Sequence, residues 1–292
     1  MLLVRETHVD RNKPVSKSYR DAIVVDDVTL QLPARGITSI IGPNGAGKST
    51  LLSMVSRLLP MCKGRITVDG LDVSTTSGDV LAKRLSILRQ DNAINSRLTV
   101  RDLVTFGRYP HSKGRPTRED LDHVDQAIGY LELEELSDRF LDELSGGQRQ
   151  RAFVAMVLCQ NTDYVLLDEP LNNLDMKHSA SMMKLLRRAA NELGKTVVLV
   201  LHDINFASCY SDHIVAMRKG KVVHQGSPEE LIQPDILRDI YEMEIAVEMI
   251  GAIALAFTIF RAPIRLNQLN ALKFSLTRIF SENRFTLFGM RF

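Results

Sequence analysis

The chain has 292 residues, 45% of them hydrophobic and 25% charged, an ordinary globular composition. A formal net charge of +2 gives no electrostatic case for a nucleic-acid partner. Cys62, Cys159 and Cys209 form no CxxC pair, suit a reducing compartment and read as inert packing residues.

The first residues, MLLVRETHVDR, are charged by Arg5 and do not resemble a secretory signal. Residues 1–14 hold no clear strand and include Pro14. From Ala22 to Pro33 the run AIVVDDVTLQLP alternates, as an antiparallel strand covering a ligand would. Ile37 to Ile41 is rich in β-branched residues and predicts a buried strand, while LLSMVSRLL, Leu51 to Leu59, has helical spacing. Between them lies IIGPNGAGKST, residues 40–50. A glycine turn from strand to helix offers backbone N–H groups to an anion, and Lys48 adds a positive charge. The spacing Gly42-x-x-x-x-Gly47-Lys48-Ser49 fits the P-loop pattern in full. It predicts a nucleoside triphosphate cradled by Gly42, Pro43, Asn44, Gly45, Ala46, Gly47 and Thr50. Lys48 would meet the outer phosphates and Ser49 a Mg²⁺ ion.

Three further apolar runs deliver polar residues at their ends. RLSILRQD reaches Gln90, YVLLDE reaches Asp168 and Glu169, and TVVLVLHD runs from Thr196 to Leu201 and ends at His202. Continuous apolar runs imply strands buried on both faces, hence a mostly parallel sheet with helices on each side. Ligands in such sheets sit beyond the carboxyl ends of the strands, so Gly42, Gln90, Asp168 and His202 should converge. Adjacent carboxylates at the exit of a buried strand also fit a site for a divalent cation. Residues 92–160, with TREDLDHVDQAIGYLELEEL at their centre, carry helical spacing and no strand signal. They predict a helical subdomain inserted in the sheet. From Gly251 onward there are six Arg or Lys, one acid (Glu282) and seven of the eleven Phe. Residues 249–292 therefore read as a separate basic, Phe-rich tail. The longest uncharged apolar stretch, Met249 to Phe260, falls short of the ~20 residues of a spanning helix.

LSGGQRQR, Leu144 to Arg151, sets Ser145 and Gln148 at capping-box spacing, so a second helix should start on two glycines. With the P-loop, Asp168-Glu169 and His202, this resembles the ATPases of the ABC family over residues 15–248. The resemblance implies a RecA-like P-loop NTPase core, α/β, with a mostly parallel sheet, an antiparallel β cover and the helical insert. It implies that Gly42 to Thr50 bind ATP and that Tyr19 stacks on adenine. It makes Ser145, Gly146, Gly147 and Gln148 the signature and Asp175 the D-loop aspartate, with Asn172-Asn173 where many relatives have Ser-Ala. Ser49 and Gln90 would contact Mg²⁺, with Asp168 behind them, and Glu169 would act on the attacking water. Lys48 and His202 would contact the γ-phosphate. The other six histidines read as structural.

The signature of one copy is expected to close the site of another, giving a homodimer with two ATP molecules. One cassette with no heptad run favours a transport subunit over a soluble non-transport ATPase. VTFGRYPHSKGR, residues 104–115, is similar to ATPases importing metal chelates, and LDEPLNNLDMKHS, residues 167–179, to those serving ferric siderophores. Cobalamin or haem import is the near alternative. The resemblance implies two membrane permease subunits, an indirect substrate-binding protein and a peripheral place on the cytoplasmic face of the inner membrane. In the tail, Leu266, Leu269, Leu272, Leu276 and Ile279 share a helical face, with Arg265, Lys273 and Arg278 off it. The tail is expected to replace the family's short final strand region.

Overall fold

The computed structural model describes residues 7–9, 13–20, 22–92, 94, 96–251 and 253–258. The chain opens with strands β1 (Thr7–Val9), β2 (Val15–Tyr19), β3 (Ala22–Val28), β4 (Gln31–Leu32) and β5 (Gly36–Ile41). Helix α1 (Lys48–Val55) follows, then β6 (Ile66–Val68), β7 (Leu71–Asp72), α2 (Gly78–Leu81) and β8 (Leu85–Leu88). The insert holds α3 (Val100–Phe106), α4 (Tyr109–Ser112), α5 (Arg118–Tyr130) and α6 (Gly146–Cys159). The core resumes with β9 (Tyr164–Asp168), α7 (Met176–Glu192), β10 (Thr196–Val200) and α8 (Ile204–Tyr210). It ends with β11 (His213–Arg218), β12 (Lys221–Gly226), α9 (Pro228–Leu231), α10 (Pro234–Tyr241), β13 (Ile245–Ile250) and β14 (Ile253–Thr258).

The central sheet has the order β12-β11-β5-β10-β9-β8. All its pairs are parallel except β11 with β12, which are antiparallel. Successive side chains on a strand point to opposite faces, and here they feed two separate cores. Ile37, Ile41, Val165, Leu167, Val197 and Leu199 join α3, α5, α6 and α7 on one face. Ile40, Leu166, Val198 and Val200 meet α1 and the antiparallel cover on the other. Burying each such aliphatic side chain contributes roughly 1.5–3 kcal/mol. That explains why these strands read as unbroken apolar runs. The cover is a sheet of order β4-β1-β6-β7, with a separate β2-β3 hairpin beside it.

Four expectations need correction. Residues 1–14 do supply a strand: β1 pairs antiparallel with both β4 and β6. Three residues between two partners give no periodic signal, so long-range pairing makes this strand. The final strand region is also present, as the β13-β14 hairpin running from Ile245↔Thr258 to Ile250↔Ile253. The break expected at residue 249 thus falls inside β13. Asn205 on α8 exchanges hydrogen bonds with the backbone of Ala256, and Ser208 donates to the carbonyl of Ala254. Third, α1 begins at Lys48 and ends at Val55, so it neither starts at Leu51 nor reaches Leu59. The leucine face at 266–279 lies outside the described residues. Cys159 is buried and its thiol is pushed up to about 12 by desolvation, as packing requires. Fourth, Cys62 is exposed instead, and hydrogen bonding to the backbone of Ser18 lowers its pKa.

Candidate functional site

Sheet order and register bring the expected residues together. Val200 on β10 is level with Ile40 on β5 and with Asp168 on β9. Leu167 is level with Leu88 on β8, so Gln90 emerges beside Glu169. The carboxyl ends of four adjacent parallel strands therefore open into one cleft. Asn44 to Thr50, Gln90, Glu169 and His202 line it, together with Val24 from β3.

The P-loop glycines answer different constraints. Gly42 has φ +140°, and a Cβ there would meet the carbonyl oxygen of Met217 at 2.0 Å. Its missing side chain is demanded by the fold itself. Gly45 has φ +77° with nothing within 4 Å of a would-be Cβ, so the loop is open on the cleft side. Helix α1 starts on Gly47 with no side-chain cap and no acid in its first turn. By contrast Ser145, Asp175 and Asp203 cap α6, α7 and α8. An uncapped N-terminus leaves its N–H groups to an anion.

Lys48 is 5% exposed, and its Nζ donates to the carbonyls of Gly42 at 2.8 Å and Pro43 at 3.0 Å. Burial lowers its pKa, opposed by the charges of Glu169 and Asp168. Asp168 is 8% exposed and accepts from Ser49 Oγ at 2.9 Å. Burial raises its pKa; the Ser49 hydrogen bond opposes this and neighbouring Glu169 adds to it. Glu169 adopts φ +50°, a strained left-handed conformation for a residue with a side chain. Its Oε2 accepts from Gln90 Nε2 at 2.7 Å, and its Oε1 lies 2.6 Å from His202 Nε2. The carboxylate is thus held from two sides at the cleft edge.

The donor set suits Mg²⁺. Ser49 Oγ, the Asp168 carboxylate and the Gln90 amide oxygen are hard ligands, and a buried carboxylate with a raised pKa favours added positive charge. Among the described residues no group of three or more His, Cys, Asp or Glu is placed to hold a metal alone. Phosphate oxygens and water would complete the shell of such an ion.

Tyr19, Ser145 to Gln148 and Asp175 do not line this cleft. Tyr19 ends β2 with 47% of its surface exposed. At the signature both capping-box bonds form: Gln148 N to Ser145 Oγ at 3.3 Å and Ser145 N to Gln148 Oε1 at 3.0 Å. Asp175 Oδ1 caps α7 and also lies 2.7 Å from His178 Nδ1. His178 in turn packs on Gly147, where a Cβ would meet its Cδ2 at 2.7 Å. Residue-type reasoning treats His178 as one more structural histidine. The signal that singles it out is its place three residues after an aspartate N-cap.

A family model described as ABC transporter matches residues 25–172. The chain is 55% identical over 236 residues to the petrobactin import ATP-binding protein YclP of Bacillus subtilis (strain 168), covering 81% of this chain and 94% of YclP. It is 55% identical over 233 residues to the petrobactin import ATP-binding protein FatE of Bacillus anthracis, covering 80% and 93%. Among solved structures it resembles the dimeric post-hydrolysis state of the ATP-binding cassette MJ0796 bound to ADP and Pi. The TM-score is 0.67 at 27% identity, covering 76% of this chain and 98% of that one.

Proposed function

Because the chain belongs to the ABC transporter family, as one of its ATP-hydrolysing subunits, we propose that it powers import of a ferric siderophore through a separate membrane permease. The observation that carries the substrate class is its 55% identity to YclP and FatE, sustained over 94% and 93% of their lengths. Cobalamin and haem are the alternatives that this observation disfavours.

In this reading residues 15–248 form the ATPase unit, 92–160 its helical insert, and the hairpin extends it to Thr258. Adenine stacks on exposed Tyr19, while the Gly42–Thr50 loop holds the phosphates with its backbone. Lys48 exchanges the carbonyls of Gly42 and Pro43 for phosphate oxygens. Ser49, Asp168 and Gln90 would hold Mg²⁺, whose charge screens the β- and γ-phosphates. Glu169, aimed by Gln90 and His202, orients the attacking water and takes its proton. His202 contacts the γ-phosphate. The signature, Ser145 to Gln148, and Asp175 act on the ATP of a second copy. The dimeric MJ0796 cassette supports this.

Among the described residues no helix is long and apolar enough to cross a membrane. The dimer would sit against two permease subunits on the cytoplasmic face, with a substrate-binding protein choosing the cargo. Expression in a Bacillus subtilis strain lacking YclP tests this. Growth on ferric petrobactin as sole iron source should return, and should fail with Glu169→Gln. Rescue of haem or cobalamin uptake alone, in strains lacking those ATPases, would overturn the substrate class.

A further inference from the structure

We propose that Arg97 is a positioning residue for the signature turn, fastening the stretch that leads into α3 to the segment that delivers Ser145. Its guanidinium carbon lies 3.9 Å from the centre of the Phe140 ring, and its Nη2 lies 3.8 Å from Glu143 Oε1. The other carboxylate oxygen of Glu143 accepts from the backbone N–H of Phe140 at 3.2 Å. Arg97, Phe140 and Glu143 thus form a closed three-membered clamp immediately before Leu144 and Ser145.

Backbone bonds continue it. Leu141 N donates to Leu98 O at 2.9 Å, Val100 N to Arg139 O at 3.0 Å and Arg101 N to Ser137 O at 2.9 Å. Thr99 and Phe140 make an antiparallel bridge. Val100 and Leu141 are buried, so this zipper is anchored in the core. Ser145 and Gly146, by contrast, are exposed, and a Cβ on Gly146 would have only the Asn173 carbonyl oxygen near it, at 4.0 Å. The clamp lies just ahead of Leu144, which packs against the core, and of the signature turn that follows it.

The side chains of Arg97 and Glu143 are 65% and 49% exposed, so their ion pair contributes little. The stacked guanidinium is the larger contribution. A residue can bias a turn only by its own interaction energy with the ordered form. An exposed cation–π contact corresponds to roughly a two- to fivefold change in an equilibrium constant. This inference rests on the reading that the signature closes the partner's site.

The experiment uses the full chain carrying Glu169→Gln, with Mg-ATP and sedimentation velocity as the readout. Arg97→Ala should weaken the ATP-dependent dimer about two- to fivefold, the bound set by the exposed cation–π contact, with ATP affinity of the monomer unchanged. Arg97→Lys, which keeps the charge over the ring, should restore most of the loss. Phe140→Leu should reproduce the alanine effect, and adding it to Arg97→Ala should weaken the dimer no further. With Glu169 intact, Arg97→Ala should lower kcat and leave the KM for ATP unaltered. Gly146→Asp serves as the control for the underlying reading. If it abolishes the dimer while Arg97→Ala does not weaken it, the proposal for Arg97 is wrong. If Gly146→Asp leaves the dimer intact, the two-copy reading fails first. Equal loss of monomer ATP affinity in Arg97→Ala would also overturn the proposal, since the residue would then act through the P-loop.

Discussion

Replacing the two signature glycines one at a time should separate stability from activity in opposite ways. A Cβ on Gly146 would have the Asn173 carbonyl oxygen as its nearest neighbour, at an ordinary 4.0 Å. Gly146 also begins a helix, where alanine restricts the unfolded chain. Gly146→Ala should therefore stabilise the isolated subunit by roughly 0.4–1 kcal/mol. For a chain of this size that is a rise in Tm of about 1–4 °C. A Cβ on Gly147 would instead meet His178 Cδ2 at 2.7 Å and Cγ at 3.0 Å. The ring must turn away from Asp175 and give up its hydrogen bond there. That loss offsets the helical gain, so Gly147→Ala should leave Tm level or slightly lower. Activity should not follow stability. If Gly146 faces a phosphate of the partner's ATP, one added methyl group obstructs that approach, and ATP turnover should fall at least tenfold in the more stable protein. Differential scanning fluorimetry and a coupled ATPase assay on the same preparations measure both. A stabilised Gly146→Ala protein with wild-type turnover would refute the reasoning, because nothing in the subunit itself resists that methyl group.

Three other outcomes are expected. Glu169→Gln should keep ATP binding and lose roughly 10²–10⁴-fold in turnover, as removal of a general base does; turnover within threefold of wild type would remove Glu169 from the chemistry. Asp120 lies buried against Arg108 at 2.9 Å, and although burial pushes its carboxyl upward, the Thr117 backbone and the Arg108 guanidinium hold it at about 2. Its contribution is full above its ordinary value of 3.8 and is lost as pH falls towards about 2. Asp120→Asn should cost about 3–5 kcal/mol at neutral pH by leaving Arg108 buried and unpaired. It should also flatten the acid limb of a stability–pH curve from urea melts, and an unchanged limb would contradict the assignment. A stop codon after Thr258 should preserve Tm and ATPase activity, whereas one after Glu248 removes β14 and its bonds to Asn205 and Ser208 and should lower both. Equal Tm for the two truncations would show that the hairpin does not brace α8.

Much of the site was legible because its signals are local. The P-loop, the Asp168-Glu169 pair and the Ser145-Gln148 box each fit within a few residues, and each is built as the spacing predicts. Convergence of Gln90, Asp168 and His202 was legible at one remove, since apolar runs ending in polar residues imply parallel strands with a shared carboxyl edge. Strand order was not legible, because register is decided by packing between distant segments. β1 was missed for the same reason. The β13-β14 hairpin was hidden by a composition change that starts inside it, and α8 braces it through distant bonds from Ser208 and Asn205. Arg97 carries no motif, so only the fold places it on Phe140; His178 is marked in the sequence only by its place three residues after Asp175, and the fold sets it on Gly147.

The central claim is that the P-loop of one copy is completed by the signature of another. ATP titration of the Glu169→Gln protein, at concentrations where it is monomeric and again where it dimerises, tests this most directly. Gly146→Asp should leave ATP affinity of the monomer within about twofold while abolishing the dimer, because a carboxylate against a phosphate in a water-poor interface costs several kcal/mol. Lys48→Ala should weaken the monomer's own binding. If Gly146→Asp weakens monomer binding as much as Lys48→Ala does, the signature serves its own P-loop and the two-copy account is contradicted.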